Sequence, residues 1–113
     1  MDIQTPDKLA EIQRLNDAFR STFHGGEITF TTSFTELPSM VKAAVLQLVA
    51  EFNDFNEDNV PRGIRDYGSF DYCNREFWWK IDFYTLEPSD DALDLSDPTK
   101  TLRILTVGLG QDL

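Results

Sequence analysis

Apolar side chains fall at every second position through Arg75-Glu76-Phe77-Trp78-Trp79-Lys80-Ile81-Asp82-Phe83-Tyr84. A period of two is that of a strand with one buried face. It sets Phe77, Trp79, Ile81 and Phe83 on one side, and Trp78, Lys80, Asp82 and Tyr84 on the other. Upstream the period changes. Leu9, Ile12, Leu15, Phe19 and Phe23 recur at helical spacing, behind a start signal of Thr5, Pro6 and Asp7: a cap, a residue whose missing N–H costs nothing there, and an acid at the positive end of the dipole. That helix is expected to stop at His24-Gly25-Gly26, where glycine can turn left-handed.

Glu27 to Thr32 is β-branched and alternating and predicts a strand. A second helix is predicted from about Pro38, with Val41, Ala44, Val45, Leu48, Val49, Phe52 and Phe55 on one broad stripe. Residues 53–66 are polar and rich in turn formers. Tyr67 to Cys73 reads as a strand that turns through Asn74-Arg75 into the aromatic strand, and Thr101 to Leu109 reads as the last strand. The order α-β-α-β-β-β predicts a single α+β domain over residues 1–113. Its simplest form is a four-stranded, mainly antiparallel sheet with two helices packed on one face.

Charge narrows the partners. Twenty acids against ten bases leave a net −10, concentrated after residue 50. A field of that sign repels nucleic-acid phosphates and anionic membranes and attracts basic surfaces. No run of about 18 apolar residues is present, so no membrane span is expected. The start Met1-Asp2-Ile3-Gln4 lacks a secretory pattern. The single cysteine, Cys73, admits no internal disulfide. Cytoplasmic residence is the expectation.

Candidate chemistry is thin. Asp54-Phe55-Asn56-Glu57-Asp58-Asn59 opens like a calcium loop, but its sixth position is Asn59 rather than glycine and its twelfth is Arg65 rather than glutamate. No metal or cofactor is predicted. His24 reads as a helix cap, and Cys73 has no base at a spacing that points to nucleophilic catalysis. Asp66, Asp71, Glu76 and Asp82 lie on or beside the hairpin and could meet across strands. Trp78 and Tyr84 belong where one side is apolar and the other wet. Either a helix or the 86–100 loop covers them, or they anchor a partner.

Several stretches together resemble a bacterial domain-of-unknown-function family, numbered 3768. They are Leu15-Asn16-Asp17-Ala18-Phe19-Arg20 with Gly25-Gly26, Phe52-Asn53-Asp54-Phe55 with Asp58-Asn59, Asp66-Tyr67-Gly68, Phe77 through Tyr84, Ser96-Asp97-Pro98 and Arg103-Ile104-Leu105-Thr106. The resemblance implies a small soluble protein of alphaproteobacteria, often encoded near plasmid or other mobile-element genes. In the middle loop Val60, Ile64 and Arg65 stand where that family tends to carry an acid, an acid and a histidine. This departure weighs against catalysis.

The reading that results is an acidic, non-enzymatic interaction protein that binds a basic protein surface. In its specific form it inhibits or modulates a nucleic-acid-handling protein, in the manner of an anti-restriction or anti-CRISPR factor. The expected contact residues are Trp78, Lys80, Asp82 and Tyr84 on the strand, Asp90, Asp91, Asp94 and Asp97 in the acidic loop, and Asp54, Glu57 and Asp58. The alternative is a small enzyme or ligand-binding domain with a carboxylate-lined pocket between helices and hairpin, using Asp66, Asp82 or His24. A third arrangement is a homodimer joined through an edge strand or exposed aromatics.

Overall fold

A computed structural model describes residues 6–55, 63–86 and 94–112. Helix α1 (Pro6–Thr22) leads into β1 (Glu27–Phe30), a one-turn helix α2 (Thr32–Thr35) and helix α3 (Ser39–Glu51). Three strands follow: β2 (Tyr67–Tyr72), β3 (Arg75–Thr85) and β4 (Thr101–Leu109). A 3₁₀ turn spans Gly110–Asp112. The sheet order is β1-β4-β3-β2. β4 pairs antiparallel with β3 and parallel with β1, so the α+β sheet is mixed.

The inward side of β3 is the side the alternation picked. Phe77, Trp79 and Ile81 are buried, and Phe83 packs against them. From β4 come Leu105, Val107 and Leu109, and from the helices Phe19, Val45 and Val49. Trp79 is the largest fully buried side chain. Its indole stands edge-on to Phe52 and Phe55, with centroids 5.5 and 6.1 Å away, a favoured geometry for the ring quadrupoles. Gly68 lies directly across the strand pair, where a Cβ would come within 2.5 Å of the Trp79 Nε1. Only a residue without a side chain lets the indole lie there.

Three local departures from expectation have physical causes. The strand predicted to Thr32 ends at Phe30, because the Thr31 hydroxyl accepts from the Phe34 N–H and starts α2 instead. That turn drives Phe34 into the core, edge-on to Phe77 and stacked on Phe30. Helix α1 closes on Phe23, which takes a left-handed φ of 61°, ahead of Gly25 at 113°. The hairpin turn is Cys73-Asn74, one residue earlier than predicted, with both φ values positive at 52° and 61°. That is the mirror-image turn whose twist matches a two-residue hairpin.

A second, smaller core joins Ile12 of α1 to Ile64 and Leu95. Two buried polar residues tie it down. Asn16 donates Nδ2 to the Ile64 carbonyl at 2.7 Å and accepts from the Arg103 Nε. Arg103 also donates to the Leu95 carbonyl and lies over the Phe83 ring. The end of α3 is fastened in the same style. Arg20, only 4% exposed, donates to the carbonyls of Val49 and Phe52 and to Asp17.

Candidate interaction surface

With α1 and α3 on one face of the sheet, the register assigns the other face. It carries Glu27 and Thr29 from β1, Leu102, Ile104, Thr106 and Gly108 from β4, Glu76, Trp78, Lys80, Asp82 and Tyr84 from β3, and Tyr67, Ser69 and Asp71 from β2. Among the described residues no helix places its buried side chains there. Glu27, Asp71, Glu76 and Lys80 are exposed, and Tyr84 is 52% exposed. Leu102, Ile104 and Tyr67 are half-buried.

Trp78 differs from its neighbours. It is 4% exposed. The residue opposite is Gly108, and a Cβ there would sit 2.7 Å from the indole and 2.6 Å from the Thr31 methyl. The indole therefore packs directly on Gly108 of β4, and its Nε1 donates to the Leu109 carbonyl. Trp78 holds the sheet together and is not available as a partner anchor in this conformation. Tyr84 keeps an accessible ring. Lys80 and Asp82 form an ion pair at 3.4 Å along one strand, both partly exposed.

The acidic-loop residues have local duties. Asp94 accepts from both the N–H and the hydroxyl of Ser96, and Asp97 does the same for Thr99. These bonds favour the ionised carboxylates and hold both below the usual aspartate value. Lys8 approaches Asp94 at 4.0 Å. The two aspartates build the turns leading into β4, each through its Oδ1. Asp54 is exposed, beside a groove between the end of α3 and β2. Glu57, Asp58, Asp90 and Asp91 lie outside the described residues, as does most of the calcium-like loop.

The residues of the enzymatic alternative are dispersed. Asp82 points to the helix-free face, while His24 is exposed beyond the end of α1. Asp66, one position before β2, accepts the Ile81 N–H through its carbonyl, which by alternation puts its side chain on the helix side. On that side Phe52, Phe55, Phe70 and Trp79 pack against one another. Cys73 is exposed at the hairpin tip. Among the described residues no group of three histidines, cysteines or acids is placed to hold a metal ion, and no helix is long and apolar enough to cross a membrane.

An arginine network was not foreseen from the pattern. Asp17 bridges Arg20 at 3.1 Å and Arg65 at 2.6 Å, and both guanidinium groups lie 5.3 Å from the Phe55 ring centroid. Burial pulls Arg20 below the usual arginine value while Asp17 opposes the shift. Burial does the same to Arg103. Of the three departures from the family pattern, Ile64 is fully buried and Arg65 is ion-paired, so these two serve packing and charge pairing, and Val60 lies outside the described residues. The signal for Arg103 was present: alternation along β4 aligns it with Leu105 and Val107.

No curated protein and no solved structure matches the chain. A family model described as "Protein of unknown function (DUF3768)" matches residues 30–112, which take in everything from the end of β1 through β4, and the chain belongs to that family.

Proposed function

We propose that this chain is an acidic, non-enzymatic interaction protein that binds a basic protein surface. One arrangement carries the reading. The helix-free face presents four carboxylates, Glu27, Asp71, Glu76 and Asp82, against a single lysine, Lys80, which is already paired. Threonines, serine and two tyrosines fill the space between them. A broad face of that sign speeds encounter with a basic partner and disfavours phosphate-bearing ones. In its specific form the protein is a cytoplasmic bacterial inhibitor or modulator of a nucleic-acid-handling protein, of the kind mobile elements carry against restriction or CRISPR defences. Its carboxylates would then stand where that partner's phosphates bind.

The test is an affinity capture from the native host's lysate, washed at low and high salt, with the captured partner then challenged by duplex DNA. The expected result is a basic nucleic-acid-handling protein that salt or DNA releases. Charge reversal at Glu76 and Asp82 should abolish capture, and His24→Ala should leave it intact. Equal capture by the charge-reversed protein would overturn the reading.

A further inference from the structure

We infer that the outer edge of β2 is the docking site for an extended basic segment of the partner, which adds to the sheet as a fifth strand. This rests on the reading of a basic partner and specifies where and how it binds. β2 is an edge strand. In an antiparallel ladder, pairs that exchange two hydrogen bonds alternate with pairs that exchange none. The Ile81 N–H donates to the Asp66 carbonyl, and a two-residue turn closes the pair Tyr72 and Arg75. Both fix the even-numbered positions of β2 as bonded to β3. The backbone N–H and C=O groups of Tyr67, Ser69 and Asp71 therefore point away from β3, toward the free edge, where no further strand of the described residues meets them.

The space beside that edge has the shape and chemistry of a strand site. A groove of about 430 Å³ runs between the last turn of α3 and β2. Leu48, Phe52 and Phe70 supply apolar surface, and Glu51, Asp54 and Asp71 supply three carboxylates without a lysine or arginine in the lining. An incoming strand would gain main-chain hydrogen bonds from the edge and selectivity from alternate side chains. Its inward side chains would meet the apolar surface flanked by Glu51 and Asp54, while its basic ones on the opposite face met Asp71. The same charges disfavour self-association: two copies joined edge to edge would bring six carboxylates together. The occupant is basic and extended.

The experiment uses the whole protein, ¹⁵N-labelled, with a fluorescein-tagged octapeptide of alternating lysine and valine at low salt. A proline-interrupted peptide of the same charge is the control. The expected result is slowed exchange at the Tyr67, Ser69 and Asp71 amides, absent with the control. Affinity should fall about tenfold for Ser69→Pro, which removes one outward N–H at a position where an edge strand tolerates proline. Because that variant could lose stability, Glu51→Lys combined with Asp71→Lys is the second, and should weaken binding to the same degree. Peptide-induced shifts confined to Lys80, Asp82 and Tyr84 would overturn the edge site while leaving a basic partner for the face. Absence of peptide binding at low salt would overturn the edge site, and the lysate capture then decides the broader reading separately. Protection of the edge amides without peptide, together with a dimer mass by light scattering, would overturn it in favour of a second copy.

Discussion

The Nε–H of Arg103 on β4 donates to Oδ1 of Asn16 on α1 across 2.7 Å, between residues 87 positions apart in the chain. Both are fully or nearly fully buried. Both ends of the Asn16 amide are engaged, since its Nδ2 donates to the Ile64 carbonyl. A charged strand residue, a helix residue and a loop carbonyl are thus fixed by one side chain. Asn16→Ala leaves a buried guanidinium N–H and a carbonyl without partners and should cost about 2–4 kcal/mol. Urea unfolding would show a lower midpoint at unchanged slope.

Asp17 should matter more than either of its partners suggests. Its carboxylate bridges Arg20 and Arg65, and Asp17→Ala leaves two guanidinium groups facing each other beside Phe55. A loss of about 2–4 kcal/mol is expected, against at most about 1 kcal/mol for Arg65→Ala, whose side chain is 40% exposed. The same denaturation measurement separates the two.

Gly108→Ala tests the seating of Trp78. The added methyl would meet the indole at 2.7 Å and the Thr31 methyl at 2.6 Å, so the ring must lift from β4. About 1–3 kcal/mol of destabilisation is expected, with a red-shifted tryptophan emission as the indole is wetted. Gly63 has a positive φ but open space around it, and Gly63→Ala should cost only about 1 kcal/mol of backbone strain, with unchanged emission.

The hairpin turn offers a gain. Cys73 and Asn74 both hold positive φ, and asparagine followed by glycine suits those angles better. Cys73→Asn with Asn74→Gly should raise stability by about 0.5–1 kcal/mol, read as a higher thermal midpoint.

Acidification should expose the turn aspartates. Asp94 and Asp97 are held below their usual value, first by the hydroxyls of Ser96 and Thr99. A depressed folded value means the unfolded chain binds protons first as the pH drops. The stability these groups contribute is present above the ordinary aspartate value and disappears as the pH falls through the folded one. Stability should therefore decline below about pH 4. Replacing both by asparagine should flatten that part of the profile, as followed by urea midpoints across the acid range.

The limits of β4 and the buried side of β3 were legible because each residue there obeys a local alternation. Thr31 and Thr32 misled for a related reason: β-branched residues favour strands, and only the bond from the Phe34 N–H to the Thr31 hydroxyl converts them to a helix start. Trp78 was read as outward, correctly as to face. Its burial depends on Gly108, thirty residues later, and on a register that no local pattern encodes. Arg103 was aligned with apolar neighbours by alternation, but the general rule that arginine stays exposed hid it. The parallel pairing of β1 with β4 was unreadable because strand partnership is a property of the assembled sheet. Of the surface residues, Tyr84, Lys80 and Asp82 were placed correctly on one face, whereas the edge of β2 emerges only from the pairing order.

The central position of β4 also governs how the molecule can be made. β4 follows both its neighbours in the chain, yet it is the strand that joins them. A nascent polypeptide that has released β1 and the β2–β3 hairpin holds two fragments with no ladder between them. Phe77, Trp79 and Ile81 are then left without their strand partners Leu109, Val107 and Leu105. Emergence of Thr101–Leu109 from the ribosome closes the sheet in one step. Contacts between segments so far apart in the chain slow folding, and until β4 docks, the aromatic strand β3 lacks the neighbour that completes its ladder.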